Sequence, residues 1–74
     1  MSSEGNIMEI VSKNLIELRK ERGLTQQAVA DYLKIDRSNY SKYELGKLEI
    51  NIHMLRELSK LYSISTDYIL GLEK

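Results

Sequence analysis

Between residues 26 and 45 the chain has room for two short helices and almost nothing to join them. Gln26 to Leu33 sets Val29, Ala30 and Leu33 on one side at helical spacing, and Arg37 to Leu45 resumes that period. The link is Leu33-Lys34-Ile35-Asp36. Helices joined by so few residues cross at about 90–120°, so the pair forms a corner rather than a hairpin. Ala30 suits that crossing, because two backbones approach closely only past a small side chain. Thr25 and Asp36 have the chemistry of N-caps, and Gly46 that of a helix end. So short a reversal needs a residue at or near positive φ. Lys34 stands there instead of glycine, at about 1 kcal/mol of strain.

The rest of the chain is punctuated the same way. A first helix is expected from Ile7 to Arg22, with Ile7, Val11, Leu15, Leu18 and Arg19 on one side and Gly23 ending it. Asn51 caps a fourth helix, Ile52 to Tyr62, with Ile52, Leu55, Leu58 and Leu61 inward. Ser65 caps a fifth, Thr66 to Leu70, before Gly71. Proline is absent and no strand-like alternation persists. The expectation is an all-α, compact five-helix domain over residues 7–74, preceded by a flexible polar tail at 1–6.

Composition narrows the chemistry. The 74 residues include no cysteine and one histidine, which excludes a disulfide framework, a zinc knuckle and a thiol nucleophile. His53 has no acidic or histidine partner nearby in sequence and reads as surface. No paired carboxylates or nucleophile–base pair can be assembled, so an enzyme, a cofactor and a small-molecule substrate are not expected. No apolar run reaches the ~18 residues of a membrane span, and no signal-peptide pattern opens the chain. A cytoplasmic protein is expected.

The third helix separates two faces. At helical spacing Arg37, Ser38, Ser41, Lys42 and Leu45 fall within an arc of about 140°, and Tyr40, Tyr43 and Glu44 lie outside it. A face of short polar and long cationic donors suits a major groove, where Arg or Lys reaches guanine N7 and O6. An ordinary solvated face is the other reading. Tyr32, Tyr40 and Tyr43 occupy packing positions, so they read as core rather than as stacking platforms for single strands. The charge total gives no help, because 11 cationic residues meet 11 acidic ones. Its distribution does help. Lys34, Arg37, Lys42 and Lys47 face only Asp36 and Glu44 within residues 34–47.

From Leu15 to Leu70 the chain resembles the lambda Cro/C1-type helix-turn-helix domains, the Xre group of phage and bacterial repressors. The resemblance lies in L-I-E-L-R-K-E-R-G-L-T-Q-Q-A-V-A, in S-N-Y-S-K-Y-E-L-G-K and in L-R-E-L-S-K-L-Y-S-I-S-T-D-Y-I-L. It implies a transcriptional regulator, a repressor that binds a pseudo-palindromic operator in double-stranded DNA as a homodimer. Residues matching base-reading positions are Arg37, Ser38 and Lys42. Gln26 and Lys47 match phosphate-contacting positions, and Asn39 is assigned to the backbone with them. Arg19 and Glu44 match a buried ion pair between the first and third helices. The family often pairs through its last helices, where Tyr68, Leu70 and Leu72 are apolar. Met8 and Ile16 offer a second apolar surface, and closure of the core by Tyr68 and Leu70 is the alternative. The chain departs from the family at Lys34, where glycine is common, and at Leu48-Glu49-Ile50, which lacks proline and adds a carboxylate. An antitoxin or protein-interaction module on the same fold is the alternative function.

Overall fold

The computed structural model describes residues 6–73. Among them lie α1 (Ile7–Glu21), α2 (Gln26–Leu33), α3 (Arg37–Glu44), α4 (Ile52–Tyr62) and α5 (Thr66–Ile69), with no strand. The expected ends at Arg22, Leu45 and Leu70 are the capping residues just beyond α1, α3 and α5. The tail expected at 1–6 lies outside the described residues except for Asn6. Asn6 is a helix start, because its Oδ1 accepts the Glu9 N–H at 2.9 Å.

Each helix begins and ends by local chemistry. Thr25 Oγ1 accepts from Ala28 N at 3.0 Å, Asn51 Oδ1 from Met54 N at 2.8 Å, and Ser65 Oγ from Tyr68 N at 3.0 Å. Asp36 holds the N-cap position of α3 but makes no side-chain capping bond. All five helices close on a left-handed residue: Gly23, Lys34, Gly46, Ser63 and Gly71. At α2, Lys34 takes φ 62° and ψ 42°, its N–H reaches Asp31 O at 3.1 Å, and Ile35 N–H reaches Ala30 O at 3.0 Å. That is the paired bonding of a Schellman end, which satisfies two otherwise orphaned carbonyls.

The helices pack around one core. α1 lies against α3 and α5, α2 against α3 and α4, and α4 against α5. Leu15, Val29, Ala30, Tyr40, Leu58, Tyr62 and Ile69 are fully enclosed. Asn14 Nδ2 ties α1 to the end of α5 through the carbonyls of Tyr68 and Ile69, at 3.2 and 3.1 Å.

Three inward assignments are corrected. Ile52 is 84% exposed, because the buried stripe of α4 runs through Met54, Leu58 and Tyr62. Those residues recur every four positions, and Ile52 lies about 200° around the helix from Met54. Leu55 and Leu61 are only partly buried, at the edges of that stripe. Ile7 is 46% exposed at the first turn of α1. Tyr32 is 41% exposed at the margin of α2, whereas Tyr40 and Tyr43 are core.

Two substitutions at helix ends should move in opposite directions. Lys34→Gly relieves left-handed strain but loosens the unfolded chain, so its melting temperature should hold or rise, by up to about 1 kcal/mol of stability. Gly71→Ala should destabilise. Its φ is +77°, and an added Cβ would stand 2.5 Å from Ile10 Cγ2. Thermal melts of both variants check the pair, and a sharp loss in the glycine variant would refute the strain at Lys34.

Candidate nucleic-acid interface

The site is built outward from Glu44, the last residue of α3 and only 4% exposed. A buried carboxylate must be paired and hydrogen-bonded to persist. Arg19 on α1 meets it in a fork, Nε to Oε2 at 2.7 Å and Nη2 to Oε1 at 3.1 Å. Tyr40, one turn earlier on α3, donates its hydroxyl to Oε2 at 2.5 Å. Gln26, opening α2, donates Nε2 to Oε1 at 3.0 Å. Arg19 Nη1 also reaches Leu24 O at 3.0 Å in the loop before α2. The Ser12 hydroxyl on α1 donates to the main-chain carbonyl of Glu44. One residue thus fixes α3 against both neighbouring helices.

The electrostatics follow from these contacts. Burial alone pushes the Glu44 carboxyl up, but the bonds from Arg19, Tyr40 and Gln26 outweigh it and hold the group below its ordinary 4.5. The hydrogen bond to Glu44 raises Arg19 further. Burial first, then the bond to Glu44, pushes the Tyr40 phenol far up, so it stays a donor. Tyr62 is raised to about 12 by burial, then by the charge of Glu44. Its hydroxyl is the buried side-chain polar atom without a partner among the described residues.

With its back held this way, α3 turns its other face to solvent. Arg37, Ser38, Asn39 and Lys42 are exposed, Ser41 is half-buried, and Leu45 ends the face at 62% exposure. Lys34 and Lys47 are exposed on the turns before and after the helix. Gln26 is half-buried, with its amide engaged on both sides: Oε1 accepts from Arg37 Nη1 at 3.4 Å. Sequence reasoning missed this inward role of Gln26, and also missed Ser12. The Tyr40–Glu44 bond had a signal in its i, i+4 spacing. Elsewhere, Tyr68 and Leu72 are exposed, Leu70 packs against the core, and Met8 and Ile16 are half-buried. His53 is exposed, and no group of metal-binding side chains occurs among the described residues. No described helix is long and apolar enough to cross a membrane.

The sequence pattern of the helix-turn-helix family matches residues 15–69. An SPbeta prophage-derived uncharacterized HTH-type transcriptional regulator, YonR of Bacillus subtilis, is 41% identical over 78% of this chain and 54% of its own length. The HTH-type transcriptional regulator ImmR of the same organism is 41% identical over 82% of this chain and 48% of its own length. The HTH-type transcriptional activator BcrR of Enterococcus faecalis is 35% identical over 85% of this chain and 31% of its own length. The chain therefore spans about half the length of the first two and under a third of the last. No solved structure matches it.

Breaking the buried pair should be severe. Arg19→Ala or Glu44→Ala should each destabilise by roughly 3–5 kcal/mol, because each leaves a charge without its partner. Replacing both by well-packed apolar residues should be much milder. Thermal melts in which either single change costs under about 1 kcal/mol would contradict the burial. Acid titration gives a second check. Glu44 titrates lower when folded, so its contribution is complete above its ordinary 4.5 and is lost as pH falls through the folded value. The melting temperature of the unaltered chain should therefore fall more steeply below about pH 4.5 than that of Glu44→Gln.

Proposed function

The chain belongs to the Cro/C1-type helix-turn-helix family, and from that premise we propose that it is a sequence-specific regulator of transcription that binds double-stranded DNA. The observation that carries the reading is the two-sided character of α3. Its inner side is fixed by Glu44, Tyr40 and Tyr43, and its outer side presents Arg37, Ser38, Asn39 and Lys42 to solvent. The relatives named as transcriptional regulators support it.

In this reading α3 lies in the major groove. Arg37 and Lys42 donate to base edges, with guanine N7 and O6 the natural acceptors, and Ser38 reads a neighbouring edge. Gln26, Asn39 and Lys47 hold the flanking phosphates, which set register rather than sequence. One eight-residue helix makes few base contacts. A two-fold dimer on a pseudo-palindromic operator, with half-sites about 34–36 Å apart, supplies the missing affinity. The exposed side chains of Tyr68 and Leu72 are the apolar surface offered for pairing. Such a dimer represses where its operator overlaps a promoter, and the protein acts in the cytoplasm.

Selection of bound sites from random duplexes tests the reading directly, and two substitutions then divide the labour. Arg37→Ala should lose about 1–3 kcal/mol on the selected duplex and relax preference at one base pair. Lys47→Ala should weaken all sequences alike and make the salt dependence shallower by about one unit of slope. If both variants lose cognate and random duplex equally in titrations at several salt concentrations, α3 does not read bases.

A further inference from the structure

A cavity of about 170 Å³ indents the core where α1 begins. Its walls come from the first two turns of α1, the end of α3, the connection from α3 to α4, and Leu70. Protein interiors pack closely, with few voids larger than a water molecule. A cavity of this size forfeits contacts along its lining, and a chain of 74 residues has little core to set against that loss. The lining has a direction. Val11 and Tyr43 are buried and form the floor, while Ile7, Leu48 and Glu49 are exposed and form the mouth. Glu49 is the one charged residue of the lining. Among the described residues it has no ion-pair partner.

These features define a ligand by size, body and head. Apolar cavities of about 150 Å³ accept molecules as large as benzene, so the body is one small ring or a short alkyl chain. Nucleotides and drug-sized ligands need pockets of about 300 Å³ or more and are too large. A floor of valine and tyrosine favours an apolar body by burying its surface. The carboxylate at the mouth selects the head, attracting an ammonium and repelling an anion. Because the mouth is exposed, the ammonium keeps part of its water and escapes the cost of a buried charge. We propose that this cavity binds a small primary amine with an apolar body, the body seated on Val11 and Tyr43 and the ammonium held by Glu49. The site uses none of the side chains assigned to DNA and stands whether or not α3 reads bases. Residues 1–5 of the same chain and a second copy are the rival occupants.

The test uses the full 74-residue chain, isotope-labelled at its methyl groups. It is titrated with three probes of nearly one shape: 2-phenylethylamine, 2-phenylethanol and phenylacetate, each to about 20 mM, a range suited to ligands of so few atoms. The methyl resonances of Val11, Leu48 and Leu70 should shift together and show nuclear Overhauser contacts with the phenyl ring. The melting temperature should rise with amine concentration. The amine should bind about two- to fivefold more tightly than the alcohol, and phenylacetate more weakly than either. Added salt should narrow those differences. Glu49→Gln should bring the amine to the affinity of the alcohol. Val11→Phe fills the floor and should abolish binding of all three probes. If that variant does not fold, Leu48→Trp closes the mouth from an exposed position and should do the same. No shift at these methyls with any probe, or shifts scattered over the surface, would overturn the proposal. So would equal binding of amine and alcohol, or an advantage of the amine that survives Glu49→Gln. Contacts of the same methyls with residues 1–5 or with a second copy, undisplaced by the amine, would overturn it in favour of a rival occupant.

Discussion

A carboxylate enclosed beneath the outer face of α3 is the group on which the rest of the structure depends. Removing Glu44 from water is costly, and its own helix makes the position worse, since a negative charge at a helix C-terminus opposes the dipole. The compensation comes from three directions: Arg19 on α1, Gln26 on α2 and Tyr40 on α3. These bonds are directional and short. They are satisfied together only when the three helices stand in one arrangement. An apolar contact of equal area would tolerate sliding between helices, whereas this cluster does not. A domain of 74 residues has little buried area with which to define the angle of an eight-residue helix. Bonding at one anionic point supplies a definition that packing alone would leave loose.

What could be read from the sequence divides along the range of the interactions. Helix ends were legible because caps and left-handed residues act over three to five positions. Thr25, Asn51 and Ser65 cap as their chemistry requires, and even the unfavourable left-handed residue at Lys34 follows from the length of its turn. The facing of α4 was not legible. Its sequence carries apolar residues at Ile52, Leu55, Leu58 and Leu61 and also at Met54, Leu58 and Tyr62, and both sets describe a helical stripe. Only the positions of α2 and α5 decide between them, and they enclose the second set. Asn6 reads as tail from the sequence, because a single polar residue before a helix looks the same in either role. The outer face of α3 could be read because eight residues at a fixed angular step leave few alternatives. The inward bond of Gln26 could not. It joins residues 18 apart through a carboxylate that the fold itself has to bring there.

The neutral total charge is compatible with the proposed role once burial is counted. Glu44 is enclosed and matched by Arg19, so neither contributes much to the external field. What remains exposed around α3 is Lys34, Arg37, Lys42 and Lys47 against Asp36 and Glu49. That surplus is modest. The sequence-independent part of DNA affinity grows with the number of phosphates neutralised, so a modest surplus implies weak general binding. Weak general binding is no disadvantage to a regulator. Competing sites in a genome are numerous, and the ratio of specific to general affinity governs occupancy. In the proposed role the burden then moves to the few base-reading side chains and to the accuracy with which they are held.

Lys34 shows how that burden meets stability. The corner between α2 and α3 requires a left-handed residue, and Lys34 occupies it at φ 62°. Ser63 adopts the same conformation after α4, so the fold bears such strain twice among the described residues. The two positions differ in what their side chains reach. Ser63 carries no charge, and a glycine there would change little beyond strain. Lys34 places an exposed cation on the turn that leads into α3, beside the face assigned to DNA. Glycine would relax the backbone and remove that charge in one step. The strain and the charge are therefore opposing contributions of a single side chain, one to folding and one to the surface. A lysine kept at a glycine position makes physical sense where the second outweighs the first. This surface has few exposed cations and a neutral protein behind it, so each charge near α3 is a large fraction of what the domain can offer a phosphate backbone.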